Sequence, residues 1–214
     1  MHPRDCPNWE YEHHPNYPGD LTARVKRVLV DLRSGIIDSC QLAADTRPTH
    51  GAVFQNLTPS GFEYLAGHYR GEIFRCLQYY SVFVPGDRSV GLAPTYVVNR
   101  MRWFEGLVRR GIAALDEASR VPNSQVPPEQ KILFTVVFAC RVFELFLQIH
   151  PYANGNGHMS RFMIWSILGR YGYWPTKWPV DPRPPDPPYT MLILQYRNGN
   201  PSPLENYILS CLAG

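Results

Sequence analysis

Between two apolar stretches of the 214-residue chain lies the run His150-Pro151-Tyr152-Ala153-Asn154-Gly155-Asn156-Gly157-His158-Met159-Ser160-Arg161. Gly155 and Gly157 allow backbone angles that other residues avoid, and they leave main-chain N–H groups uncovered by side chains. A helix starting directly after them adds unpaired N–H groups and the positive end of its dipole. Such a turn is an anion hole, with phosphate the natural guest. Arg161 follows Gly157 by one helical turn, so its guanidinium can return to clamp a phosphate oxygen. His150 stands at the other end, where an imidazole can take a proton from a group attacking that phosphate. A histidine, an anion-binding turn, a helix start and an arginine occur in the order that phosphoryl or nucleotidyl transfer needs.

The elements that must hold this run are mostly helical. The segment from Lys131 to Ile149 is apolar almost all round, as a helix buried on most sides would be, and Pro127 and Pro128 are placed to start it. A second apolar helix follows the run, with Gly169 and Gly172 as stop signals. Upstream, Asp20 is a candidate N-cap for a helix whose apolar face is Val25, Val28, Leu29 and Leu32, ending at Gly35. The stretch from Asp45 to Gly61 reads as a loop, and Ser60 with Glu63 as a capping box for another helix. Between Arg75 and Pro94 the composition turns β-branched and aromatic around Pro85-Gly86-Asp87, which predicts two short strands and a turn. Pro94 opens a further helix, on which Arg102, Arg109 and Arg110 read as a solvated face. A proline-rich excursion and two C-terminal helices close the chain. The fold class expected is mainly α with one hairpin.

Residues 1–19 are rich in Pro, His, Tyr and Asn without a period and read as an extended, solvated arm. His2, Cys6, His13 and His14 in it match no familiar zinc spacing. Cys6, Cys40, Cys76, Cys140 and Cys211 are widely spaced, odd in number and without a C-x-x-C pair, which points to a reducing cytoplasm. There is no secretory h-region at the N-terminus, and the longest apolar run, Ile132 to Cys140, is about half of the ~20 residues a membrane span requires. A net charge of +3 is too modest to argue for nucleic-acid or membrane partners. The only lysines, Lys26, Lys131 and Lys177, lie in no glycine-rich stretch, so a P-loop is absent.

The twelve-residue run resembles the signature of the Fic family, H-P-F-x-[D/E]-G-N-G-R-x-x-R between two central helices. The resemblance extends weakly over residues 60–214, which would be the Fic-like domain, and leaves residues 1–59 as an arm and helix of uncertain role. It implies a Fic-type helical core with a β-hairpin flap. It also implies transfer of AMP from ATP, with Mg²⁺ or Mn²⁺, to a Tyr, Ser or Thr hydroxyl of a target protein docked at the flap by strand addition. Carried over by position, His150 would be the general base. Gly155, Asn156 and Gly157 would line the anion hole, Arg161 would hold the γ-phosphate, and Tyr152 would anchor the loop where the family has phenylalanine.

Asn154 stands where the family has an acidic metal ligand, and His158 where it has a phosphate-contacting arginine. Both changes weaken nucleotide binding and leave the base in place. An adenylyltransferase with weakened activity is the leading expectation. The alternatives are a kinase-like member that transfers a phosphoryl group and a catalytically degenerate binding module. The family's inhibitory pattern [S/T]-x-x-x-E-[G/N] has no in-frame copy: Ser202 precedes Glu205-Asn206 by one residue too few, and Met101 stands before Glu105-Gly106. A toxin with a separate antitoxin chain, or an effector delivered into a host cytoplasm, would fit that absence.

Overall fold

The computed structural model describes residues 6–17, 19–84, 87 and 89–212. Among them are eight α-helices: α1 (Gly19–Arg33), α2 (Ser39–Ala44), α3 (Arg47–Phe54), α4 (Pro94–Arg120), α5 (Pro128–Ile149), α6 (Asn156–Arg170), α7 (Tyr189–Arg197) and α8 (Ser202–Ser210). The mainly helical architecture is as the apolar patterning requires. At the centre α6 packs against α5 and α2, while α4 and α8 flank α5. α6 is buried along nearly its whole length, from Asn156 to Gly169, and the buried side of α5 includes Val136, Phe143, Phe146 and Ile149. Each large apolar side chain taken fully out of water contributes about 1.5–3 kcal/mol, so this helix pair supplies a large part of the core's stabilisation.

α5 is long and apolar enough to cross a membrane by length and composition. Here it is a core helix, more than half buried inside the protein.

α1 buries Leu21, Val25, Val28 and Leu32, the face expected from its spacing. The stretch from Asp45 to Gly61 is not all loop. Asp38 caps α2 by accepting from Gln41 N, and Pro48 opens α3 with its missing N–H at a position that needs none. These short helices join the same hydrophobic cluster as α4 to α8, so the core runs across the 59/60 boundary drawn from the sequence. The helix expected from Ser60 and Glu63 is only a 3₁₀ turn, Glu63–Leu65. Glu63 does return to a backbone N–H, that of Gly61. Gly67 and Gly71, both at positive φ, prevent the turn from propagating.

The β-hairpin flap is a correction: no strand occurs among the described residues. Pro85, Gly86 and Arg88, at the expected turn, lie outside them. The physical reason is where the backbone bonds go. Gly91 N and Leu92 N donate to Gln148 O and Ile149 O at the end of α5, and the carbonyls of Tyr80 and Leu92 accept from Arg70, so these groups pair with the core and not across a hairpin.

The solvated arm is a second correction. Trp9 and Tyr11 are buried, and Trp9 donates its indole N–H to Leu57 O at 2.8 Å. A disulfide joins Cys6 to Cys76, while Cys40, Cys140 and Cys211 are free thiols. Such bonds persist in oxidising compartments, which runs counter to the reducing compartment expected from cysteine spacing.

Candidate functional site

His150 ends α5. Pro151 follows it and forbids a further helical turn, and His150 adopts a left-handed conformation (φ 52°, ψ 61°) that is uncommon without glycine. Strain of about 1–3 kcal/mol persists only where the surroundings over-determine the backbone. They do so through Arg70, whose Nε donates to His150 O at 2.8 Å and whose backbone N donates to Pro151 O at 2.8 Å. The His150 Nδ1 lies 3.3 Å from Leu147 O. A carbonyl only accepts, so Nδ1 carries the proton and Nε2 keeps its lone pair, the tautomer a base requires. Burial, reinforced by the positive charges of Arg70 and Arg197, pushes the imidazole down to about 4, so it is neutral near pH 7.

The turn that follows is braced from inside. Asn156 accepts from Tyr152 N at 2.9 Å and donates to Tyr152 O at 3.0 Å, closing the loop on itself. Tyr152, fully buried, shares a hydrogen bond of 2.7 Å with Thr46 Oγ1 and stacks on His50 with ring centroids 3.7 Å apart. His50 accepts from Gly67 N at Nδ1, so its Nε2 is the donor to Asn154 O at 3.0 Å. Burial drives His50 down to about 3, which keeps it neutral and in that tautomer. Gly155 has φ +79°, and a Cβ there would lie 2.4 Å from the Phe54 ring, so both backbone and space demand glycine.

The N-terminus of α6 opens on a cleft of about 360 Å³. His150, Gly157 and Arg161 all line it, together with Arg183, Arg197 and Asp87. The first N–H groups of α6, those of Asn156 and Gly157, have no acceptor within the helix. Arg161 is buried yet has no carboxylate within ion-pair distance among the described residues; it donates to Val180 O at 2.8 Å and approaches the Tyr189 hydroxyl at 3.4 Å. Its Nη1 would stand only 3.0 Å from a Cβ at position 157, so Gly157 gives the guanidinium its room. Arg197, by contrast, is paired with Glu144 at 2.9 Å and with Asp87. A buried guanidinium with no carboxylate in ion-pair contact among the described residues, beside a helix N-terminus, suits an anion.

Asn154 and His158 face elsewhere. Asn154 Nδ2 donates to Trp9 O at 3.0 Å and its Oδ1 accepts from Gly155 N at 2.7 Å. His158 lies edge-on to Tyr11 and Phe54, and its Nε2 is 3.4 Å from Asp181 Oδ1. Burial lowers its affinity for a proton, against the pull of Asp181. His158 does not line the cleft that Arg161 faces. Both departures from the Fic signature are thus contacts of the N-terminal arm.

An acid at 154 could not donate to the Trp9 carbonyl, and a longer, charged side chain at 158 would enter a closed aromatic box. At position 154 a metal would meet only an uncharged amide oxygen that already accepts from Gly155 N, a poor ligand, and no three or more His, Cys, Asp or Glu side chains gather as a metal site among the described residues.

Arg70, His50, Thr46 and Trp9 carry the site's support and were not among the residues the sequence singled out. Pro48 was a usable signal for the helix that carries His50. Nothing in the stretch from Gly67 to Glu72 distinguishes Arg70 from a surface arginine. No protein-family model matches the chain, and a comparison with curated proteins finds no match.

Proposed function

We propose that the cleft between α5, α6 and α7 binds the polyphosphate of a nucleotide, ATP in the first instance, and that the protein transfers AMP to a Tyr, Ser or Thr hydroxyl of another protein. The observation that carries this reading is the convergence on one cleft, at the N-terminus of α6, of His150 and an Arg161 that has no carboxylate in ion-pair contact among the described residues. In the step, the acceptor oxygen bonds to the α-phosphorus, the bond from that phosphorus to pyrophosphate breaks, and the hydroxyl proton passes to Nε2 of His150. Gly157 N–H and Arg161 meet the charge of the phosphates. His150 is a weak base in the free protein; negative charge from bound phosphates would raise its proton affinity as the hydroxyl reacts. No step here runs through a divalent ion.

His150 also lines a second cleft of about 490 Å³, between Asn8, Trp9 and Glu10 of the arm and the extended segment from Tyr80 to Phe83. An acceptor hydroxyl approaching from that side would reach the imidazole opposite the nucleotide.

A binding module without chemistry is the second reading, favoured by the commitment of Asn154 and His158 to the arm. Incubation with ATP labelled on the α-phosphate and a cell lysate separates the two. Labelled protein that disappears with His150→Ala supports transfer, whereas label from the γ- but not the α-phosphate selects phosphoryl transfer. No His150-dependent label from any nucleotide leaves the binding module.

A further inference from the structure

Arg70 is fully buried and, among the described residues, sits on no carboxylate. Its guanidinium is satisfied by four main-chain carbonyls: His150 through Nε at 2.8 Å, Tyr80 through Nη1 at 3.0 Å, and Leu92 and Ile149 through Nη2 at 3.0 and 3.2 Å. Two of these are the last carbonyls of α5, the negative end of its dipole, and the others belong to the segment that runs past it. A planar fork of donors suits such a task; an ammonium cannot reach all four. Burying a permanent charge on dipoles alone is costly unless its donors are met, and here four carbonyls meet them.

We propose that Arg70 is a positioning residue for His150, holding the end of α5 in its left-handed turn and placing a fixed positive charge behind the imidazole. The charge cancels the negative helix end that would otherwise draw a proton onto His150. Burial is the larger cause of the neutral ring, and Arg70 adds to it, so His150 keeps its lone pair free until an anion enters the cleft. The other charged groups around the ring are Arg197, Arg161, Arg183 and Asp87 across one cleft and Glu10 across the other. Arg197 is already paired with Glu144 and Asp87, whereas Arg70, bonded directly to the His150 carbonyl, has no acid against it among the described residues. The catalytic meaning rests on the proposed function; the positioning itself does not, and it is measured without substrate.

The test is NMR on the full chain with imidazole and amide labelling. In Arg70→Gln the His150 titration midpoint is expected to rise by about one pH unit, and Arg70→Lys is expected to restore it, since it keeps the charge. In Arg70→Lys the amides of Gly91 and Leu92, which donate to Gln148 O and Ile149 O, are expected to exchange about tenfold faster while amides inside α6 keep their protection. A folded Arg70→Gln protein whose His150 titrates as in the parent would overturn the electrostatic part. Should that variant not fold, the lysine variant decides: unchanged exchange at Gly91 and Leu92 overturns the positioning. A parent protein that titrates as expected yet transfers nothing would sink the proposed function and leave Arg70's role intact.

Discussion

On the cleft side of the loop, His150 Nε2 has no hydrogen-bond partner among the described residues and Arg161 has no carboxylate. On the arm side, a few residues away, Asn154 uses both ends of its amide on protein atoms and His158 is boxed by Tyr11, Phe54 and Asp181. Charge is left open on one flank and closed on the other. A chain that buries an arginine without an acid leaves desolvation uncompensated unless a ligand or a set of dipoles offsets it. A chain that saturates its polar groups with a tryptophan-bearing arm is fixing a surface. The contrast explains how Asn154 and His158 can depart from the Fic signature while His150, Gly155, Gly157 and Arg161 match it.

The largest way to break the contrast is to remove the arm's anchor. Trp9→Ala is expected to cost about 3–5 kcal/mol in denaturant unfolding, because it empties a core position and frees the Leu57 carbonyl. Acid comes next. His50 and His150 have affinities held below the unfolded value near 6.5, down to about 3 and about 4, so the unfolded chain binds more protons than the folded one. Stability from these rings is complete above about pH 6.5 and is lost as pH falls through the range toward 3. Denaturant midpoints measured from pH 7 down to 4 should fall steadily, and less steeply in His50→Phe; a flat profile would contradict the assigned neutral rings.

Introducing the residues of the Fic signature is a smaller perturbation with a sharper meaning. Asn154→Asp sets a carboxylate against the Trp9 carbonyl and is expected to cost about 1–3 kcal/mol; combined with His158→Arg it should loosen the arm and not raise transfer activity. Activity gained in that double variant would show that the arm's contacts are incidental and that the acid and arginine of the signature are what matter. The smallest effect on stability is expected for Arg161→Met, within about 1 kcal/mol, since relief of a buried charge with no carboxylate against it among the described residues offsets the lost donation to Val180 O. Its effect on anion binding should be large.

The central helices, the C-terminal pair and the run from His150 to Arg161 were legible in the sequence because apolar periodicity, prolines at helix starts and glycines at helix ends are local signals. The hairpin was misread for a physical reason: the β-rich stretch satisfies its backbone through Arg70 and the end of α5, partners far away in sequence. The arm was misread for a similar one, since Trp9 is a core residue only because Leu57, His50, Phe54 and Asn154 meet it. The chemical types at the cleft could be found from spacing. Their supporting shell could not, because His50, Thr46 and Arg70 act through contacts that no periodicity encodes.

The most direct measurement is calorimetric titration of ATP, and separately of pyrophosphate, into the parent protein, Arg161→Met and His150→Ala, with and without a chelator. Saturable binding by the parent is expected, with a loss of about tenfold or more in Arg161→Met and little change in His150→Ala, whose proposed role comes after binding. Absence of binding by the parent, or binding indifferent to Arg161, would contradict the proposed function.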